Sequence, residues 1–106
     1  MKKMLKDKKI NIIKQSQERD NYGELIDVLI TVAENIWAYY RHLSGREIYA
    51  AMTIDAQEEV VFEIGWRNDI DTTMKIQYRG DIYNITRIDD YEGYKNDLKV
   101  FAYKEN

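Results

Sequence analysis

The chain contains one histidine, His42, and no cysteine. A multi-histidine metal site, a disulfide and a cysteine-ligated zinc site are therefore excluded. A catalytic His42 would need a nucleophile and an orienting carboxylate in a recognisable setting, and its surroundings supply none. We expect His42 to lie at a strand end or in an interface.

Acidic residues cluster at 69–71 and at 89–92, where a bound cation is the first chemistry to consider. The second cluster does not fit a twelve-residue calcium loop. Aligning Gly93 with the turn glycine of that loop puts Ile88 at the first ligand position and Lys99 at the last. We therefore expect solvated turns, with no metal and no cofactor. Paired carboxylates for glycoside hydrolysis have no support, and no phosphate-binding glycine loop is present, so no enzymatic activity is predicted.

Charge is unevenly distributed along the chain. The first nine residues hold five lysines and one aspartate, so the net charge of −3 leaves −7 for the remainder. An acidic body disfavours tight nucleic-acid binding, which depends on lysine and arginine. Nine tyrosines, two tryptophans and two phenylalanines could still form a stacking surface for single strands. An OB-like single-stranded nucleic-acid-binding module is therefore the alternative to aromatic residues that fill a core or a protein interface.

A chain of 106 residues is long enough for one domain. No apolar run approaches the roughly 20 residues of a membrane helix, and the N-terminus lacks the apolar segment of a signal peptide. We expect a soluble protein without membrane contact, made in the cytoplasm. Residues 1–8 are predicted to be a flexible basic tail, and residues 9–106 a single domain.

Ser44 and Glu47 have the spacing of a capping box at a helix start. In this arrangement the Ser44 hydroxyl accepts a hydrogen bond from the Glu47 amide, and the Glu47 carboxylate accepts one from the Ser44 amide. Ile48 and later apolar residues continue at helical spacing. The sequence predicts an amphipathic helix at about 45–57.

Turns are predicted where glycines lie in polar clusters between apolar runs. The clearest is "YRGDIY" (78–83), where Arg79-Gly80 or Gly80-Asp81 would supply the positive φ of a two-residue hairpin turn. The strand after this turn loses strict alternation, which predicts a bulge or burial on both faces. Further strands are predicted at 9–14, 60–67 and 97–105, and a loop is predicted at 16–24.

The segment 25–41 fits both a helical and a strand pattern. Its valine, isoleucine, threonine, tryptophan and tyrosine content favours two strands, broken near 33–35. The fold class that follows is mainly β with one inserted helix: a small β-barrel or sandwich of about six to seven antiparallel strands.

Several segments then carry a family likeness in their order and spacing. They are "RDNYGE" (19–24), "NIWAYYRHLSGREIYAA" (35–51), "DIDTTMKIQYRGDIYNITRI" (69–88) and "DLKVFAYKE" (97–105). Together they resemble the phage head–tail joining proteins, also called head-closure, stopper or head–tail adaptor proteins of long-tailed phages. The matching positions are Trp37-Ala38, Leu43-Ser44-Gly45-Arg46-Glu47, Met74, Ile76, Tyr78, Gly80, Tyr83 and Ile85. His42 departs from the family, which often has proline there.

The resemblance implies a structural protein that forms a ring, usually twelve-fold, below the portal after DNA packaging. Such a ring extends and closes the DNA channel and provides the surface on which the tail docks. The implied partners are a portal or adaptor ring protein, a tail completion or tail tube protein, and further copies of the chain. Packaged DNA would pass through without sequence-specific binding. The candidate assembly interface consists of Arg46, Tyr49, Asp20, Tyr22, Arg79 and Asp81.

Overall fold

The described part of the chain forms six strands and one helix. The computed structural model describes residues 5–53, 59–90, 93 and 96–105. The elements are β1 (Lys8–Arg19), β2 (Leu25–His42), α1 (Gly45–Thr53), β3 (Val60–Gly65), β4 (Lys75–Tyr78), β5 (Asp81–Asp89) and β6 (Asp97–Lys104). The strands close into an antiparallel barrel in the order β1-β2-β3-β6-β5-β4. The predicted mainly β fold is confirmed, and it is a barrel and not a sandwich.

The barrel interior is filled by alternate residues of every strand, as period-two side-chain direction requires. Phe62 lies at its centre, with ring centroids 5.3 Å from Tyr40, 5.6 Å from Tyr78 and 5.3 Å from Tyr83. Burial raises the pKa of Tyr83 to about 12. The remaining buried core residues are Ile10, Ile12, Ala38, Val60, Ile64, Ile76, Ile85, Leu98, Val100 and Ala102.

The hairpin between β4 and β5 turns through two residues with positive φ. Arg79 has φ 52° and Gly80 has φ 83°, which are the signs of a type I′ turn. The predicted two-residue turn is confirmed, and its two central residues are Arg79 and Gly80. The predicted irregularity of the next strand is also confirmed, because the β5–β6 register shifts between Ile85 and Arg87.

The segment 25–41 lies within one continuous 18-residue strand, so the strand interpretation is confirmed and the break is replaced by a bulge. The β1–β2 register shifts between Ile10 and Ile12, and Asn35 adopts φ 53° at that point. The Asn35 amide donates to the Asn11 side-chain oxygen at 2.9 Å. A bulge bends its strand, so β2 changes direction here without losing its pairing with β1.

Beyond the bulge, β1 and β2 continue as a two-stranded ribbon, which we call the arm (residues 14–32). The predicted loop at 16–24 is wrong in its first part, because β1 continues through Arg19. At about 3.3 Å per residue, an 18-residue strand spans roughly 60 Å. The whole molecule measures 57 × 29 × 27 Å, so its length matches that of β2.

The observed bounds of the helix and of the N-terminal segment agree only in part with those predicted from the sequence. α1 spans Gly45–Thr53, and the rest of the predicted helix, from residue 54 onward, lies outside the described residues. β1 begins at Lys8, within the predicted tail, and Lys6 pairs with Asp97 at 3.1 Å. Residues 1–4 also lie outside the described residues, and the flexibility of the tail stays a prediction.

Candidate functional site

The start of α1 is held by the predicted capping box. The Ser44 amide donates to Glu47 Oε1 at 2.8 Å, and the Glu47 amide donates to Ser44 Oγ at 3.3 Å. Both halves of the motif are therefore present. Each satisfies a main-chain donor that the first helical turn leaves without an intrahelical partner.

Arg41 ties this helix start to the barrel wall, a contact that the sequence analysis missed. Its guanidinium donates to both Glu47 carboxylate oxygens, at 2.6 and 3.0 Å, and to Glu63 Oε2 at 3.1 Å. Arg41 is opposite Val61 in the β2–β3 ladder, two residues from Glu63 and on the same face. Glu63 is only 3% exposed, so the helix is anchored by a largely desolvated cluster. The signal in the sequence was a carboxylate inside an apolar strand.

The same contacts shift the ionisation of this cluster. Hydrogen bonds from the Arg41 guanidinium, helped by Ser44, lower the pKa of Glu47 to about 2 from an ordinary 4.5. The hydrogen bond to Glu47 also raises the pKa of Arg41. Both charges are therefore favoured in the folded protein, and the ion pair persists at neutral and mildly acidic pH.

We expect Glu47→Gln to destabilise the protein at pH 7 by about 1–3 kcal/mol, since the charge-assisted contact with Arg41 is lost although the amide oxygen can still accept from the Ser44 amide. A carboxyl whose pKa falls on folding contributes stability above its unfolded pKa, and the contribution disappears as pH falls through the folded value. The stability gap between wild type and variant should therefore close between about pH 4.5 and pH 2. Denaturant unfolding across this range measures the gap. A gap of constant size would contradict the ionic contribution, and Ser44→Ala, which keeps the Arg41 contact, is the control.

Arg46 and Tyr49 are exposed on α1, with 75% of the Tyr49 surface accessible. Arg46 precedes Glu47 in α1. The Glu47 side chain contacts Arg41 on the barrel, whereas the Arg46 side chain is exposed to solvent. Glu47 therefore holds the helix, while Arg46 is available to a partner.

The tip of the arm is a tight loop that presents Tyr22. Asp20 Oδ1 accepts hydrogen bonds from the amides of Tyr22 and Glu24, at 2.8 and 2.9 Å. Gly23 supplies a φ of 80°, and Arg19 donates to its carbonyl at 2.7 Å. Tyr22 is 91% exposed. Asp20 therefore shapes the loop, while the Tyr22 side chain faces solvent.

Arg79 lies in the β4–β5 turn and Asp81 directly follows it, close to the base of the arm. The Asp81 carboxylate pairs with Lys104 at 3.4 Å, and Arg79 is 5.8 Å from the Tyr78 ring centroid. Asp81 also lines an open groove with Gln15 and Leu29 of the arm. The structure thus brings the turn and the arm together, and none of the described residues that line this groove belongs to α1.

Exposed apolar residues concentrate on the arm, which was not predicted from the sequence. Those on the arm, with their exposed fractions, are Tyr22 (91%), Leu25 (58%), Ile26 (43%), Leu29 (57%) and Ile30 (36%). Apolar residues on both faces of a two-stranded ribbon have no interior to enter. A patch of this kind on a folded protein indicates an interaction surface.

Asp69, Asp71 and Asp90 of the two acidic clusters form turn contacts, and Glu92 lies outside the described residues. Asp71 accepts hydrogen bonds from the amide and the hydroxyl of Thr73, Asp69 pairs with Arg67 at 2.8 Å, and Asp90 accepts from the Gly93 amide at 3.1 Å. Arg67 lowers the pKa of Asp69. In the part of the chain that the structure describes, no three histidine or carboxylate side chains are grouped to hold a metal ion. Among the same residues, no helix has the length and apolarity to cross a membrane.

Comparison with known proteins decides the family. The family model described as phage head completion protein matches residues 4–105. The chain belongs to this family. Among solved structures, the head completion chain is similar to the solution structure of protein SF1141 from Shigella flexneri 2a, with 22% sequence identity and a TM-score of 0.78. The likeness covers 98% of this chain and 96% of that one, and it shows that the fold is shared. No curated protein matches.

Family membership gives the coarse function. Phage head completion proteins are structural proteins of the virion that contact other head and tail proteins, and this chain has that role. The predicted head–tail joining family is confirmed. The match supports a structural head-completion role over the OB-like nucleic-acid-binding module. The six candidate interface residues stay a prediction, to which the structure adds the apolar strand of the arm.

Proposed function

We propose that this head completion protein forms a ring below the portal after DNA packaging, extends and closes the DNA channel, and presents the surface on which the tail docks. The proposed partners are a portal or adaptor ring protein on the head side and a tail completion or tail tube protein on the tail side. Assembly takes place in the host cytoplasm, and the ring remains in the virion at the head–tail connector.

The observation that carries this proposal is the arm. Each copy is a closed barrel with a filled core, so its fold needs no partner. The arm nevertheless exposes Leu25, Ile26, Leu29 and Ile30 to solvent. A ring subunit needs two different complementary surfaces, and the projecting arm exposes surface on which such contacts can form.

The charge of the chain supports a channel that does not retain DNA. Beyond residue 9 the net charge is −7. Sustained phosphate binding would require neutralising lysines and arginines along the channel, as in nucleic-acid-binding proteins. DNA passing an acidic wall is repelled and slides, and closure then depends on protein–protein contacts.

Electron microscopy of purified portal complexes mixed with the protein tests the proposal. We expect a ring-shaped addition on the side of the portal that faces away from the capsid. Isolated tail tubes are the matched comparison, since a tail-side completion protein would cap tails and leave portals bare. Absence of added density on portals would contradict the proposed position.

Arg46→Ala is expected to leave the free energy of unfolding within about 0.5 kcal/mol of wild type, because Arg46 is exposed and the cap residues remain. Ring formation on portal complexes should weaken at least about tenfold if Arg46 makes a charged contact in the interface. Titration followed by electron microscopy measures the second effect. Arg67→Ala, at a partly exposed arginine outside the candidate surface, is the control. Equal assembly by both variants would remove Arg46 from the interface.

A further inference from the structure

The arm leaves two main-chain edges without a strand partner. β1 pairs with β4 only at residues 11–13, and β2 pairs with β3 only from Ala38 onward. Within the described residues, the outer edges of 14–19 and 25–37 therefore face no other strand. Unpaired edges of this length are templates for pairing with another chain. Proline would block such pairing, because it has no main-chain N–H, and the stretch 25–37 contains none.

The two edges differ in chemistry. The β2 strand of the arm carries Leu25, Ile26, Leu29 and Ile30, all between 36% and 58% exposed. The β1 strand from 14 to 19 reads KQSQER and has no apolar side chain. The register pairs Leu25, Ile26, Leu29 and Ile30 with Arg19, Glu18, Gln15 and Lys14, so each of these four apolar residues lies beside a polar neighbour with an aliphatic stem. One edge of the arm is thus apolar and the other is polar.

The edges also differ in charge. Residues 14–19 contain Lys14, Arg19 and Glu18, a net charge of +1. Residues 25–32 contain only Asp27, a net charge of −1. Within one copy Gln17 Nε2 already donates to Asp27 Oδ1 at 3.3 Å, which shows that this polar pair fits across a strand boundary. The β1 edge of one arm is complementary to the β2 edge of another.

We propose that the arm is the contact between copies of this chain, with the β2 edge of one arm pairing as an antiparallel strand with the β1 edge of the next. The occupant is a second copy and not a foreign strand, because one foreign strand covers a single edge and leaves the other open. Head-to-tail repetition covers both edges of every subunit. In a rotationally symmetric ring all β1 strands run the same way, so neighbouring β1 and β2 strands are antiparallel, as they are within each arm.

This proposal rests on the ring of the proposed function and names its subunit contact. Repeated pairing would join the arms into one continuous sheet that closes with the ring, and closure removes every free edge. The apolar strand of each arm would then lie between two polar strands, with aliphatic stems packed beside it. The assembled protein would have no exposed strand edge at the arm, although the free subunit has two.

Cysteine cross-linking tests the pairing without any phage partner, because the chain contains no native cysteine. Two single variants are made, Gln17→Cys on β1 and Leu29→Cys on β2. Their side chains lie on the same face of the arm, as the register shows. Equal amounts are mixed at high concentration, one variant carrying a mass tag, and treated with a short bismaleimide. We expect the mixed cross-link to exceed either same-variant cross-link by about tenfold.

The outcomes separate the alternatives. Random proportions, a dominant same-variant product, or no cross-link at all would overturn the head-to-tail pairing. Cross-links that form only after portal complexes are added, and then to a portal protein, would assign the arm to a foreign partner and would also overturn it. Density added to portals by the wild type, together with a failed cross-linking result, would leave the proposed function standing. Mixed cross-links, together with portals to which no density is added, would support the pairing of the arms and contradict the proposed function.

A second variant removes the apolar edge without introducing cysteine. Leu29→Lys should keep the wild-type melting temperature, since Leu29 lies outside the barrel core, and should weaken self-association at least about tenfold. Leu5→Lys, at a similarly exposed leucine outside the arm and outside α1, is the matched control and should leave self-association unchanged. Sedimentation across a concentration series measures both. Equal association by the two variants would overturn the role of the arm.

Discussion

Replacing Arg41 with methionine is expected to lower the free energy of unfolding by about 2–4 kcal/mol at pH 7. The guanidinium makes three hydrogen bonds to two carboxylates, one of them almost fully buried. Methionine keeps much of the side-chain volume but donates no hydrogen bond, so the charged oxygens of Glu47 and Glu63 lose these contacts. The expected loss lies below that of a fully buried pair, because part of the Arg41 side chain reaches solvent.

Denaturant unfolding at pH 7 measures this loss, and Arg46→Met is the matched control. Arg46 is exposed near the start of the same helix and should lose less than about 0.5 kcal/mol. The pKa of Glu47 in Arg41→Met should return toward its ordinary 4.5, which carboxyl NMR titration can follow. An unchanged Glu47 titration, or equal losses in the two variants, would show that the ion pair does not hold the helix.

Phe62→Ala is expected to cost roughly 3–5 kcal/mol, the usual range for truncation of a buried phenylalanine. Phe62 has no exposed surface and lies within 5.6 Å of three tyrosine ring centroids. These tyrosines are carried by β2, β4 and β5, so the truncation opens a cavity where strands from different parts of the barrel meet. A single domain has only about 5–15 kcal/mol of stability in total, and the variant should melt far below wild type.

Tyr22→Ala is the control for this second effect. It also deletes an aromatic ring, but from a side chain that is 91% exposed, so the loss should stay below about 0.5 kcal/mol. Calorimetry or thermal circular dichroism of both variants gives the comparison. Phe62→Leu should recover most of the loss, since it refills much of the cavity. Similar melting of Phe62→Ala and Tyr22→Ala would contradict a central position of Phe62 in the core.

Local features of the fold were accessible from the sequence because their causes are local. The positive φ of Gly80 and the capping box of Ser44 and Glu47 each depend on a few neighbouring residues. The family likeness also followed from ordered segments and was confirmed by the match over 4–105.

The anchor of the helix and the surface of the arm could not be predicted in the same way. Arg41 and Glu63 meet only because β2 and β3 are neighbours with a particular register, which no local pattern specifies. The alternation of 25–32 indicated a strand, and a strand of that composition is normally buried. Whether Leu25 and Ile26 enter a core depends on how far the barrel extends along β1 and β2.

The sequence by itself determined the mainly β class, the turns, the helix start and the family, since period, turn chemistry and capping act over a few residues. The tertiary structure decided that the barrel pairs β1 with β4 only at 11–13 and β2 with β3 only from Ala38. The apolar residues of β2 in the arm therefore lie outside the core. Strand pairing across the chain, and not side-chain hydrophobicity, fixed which apolar residues fill the barrel and which remain for a partner.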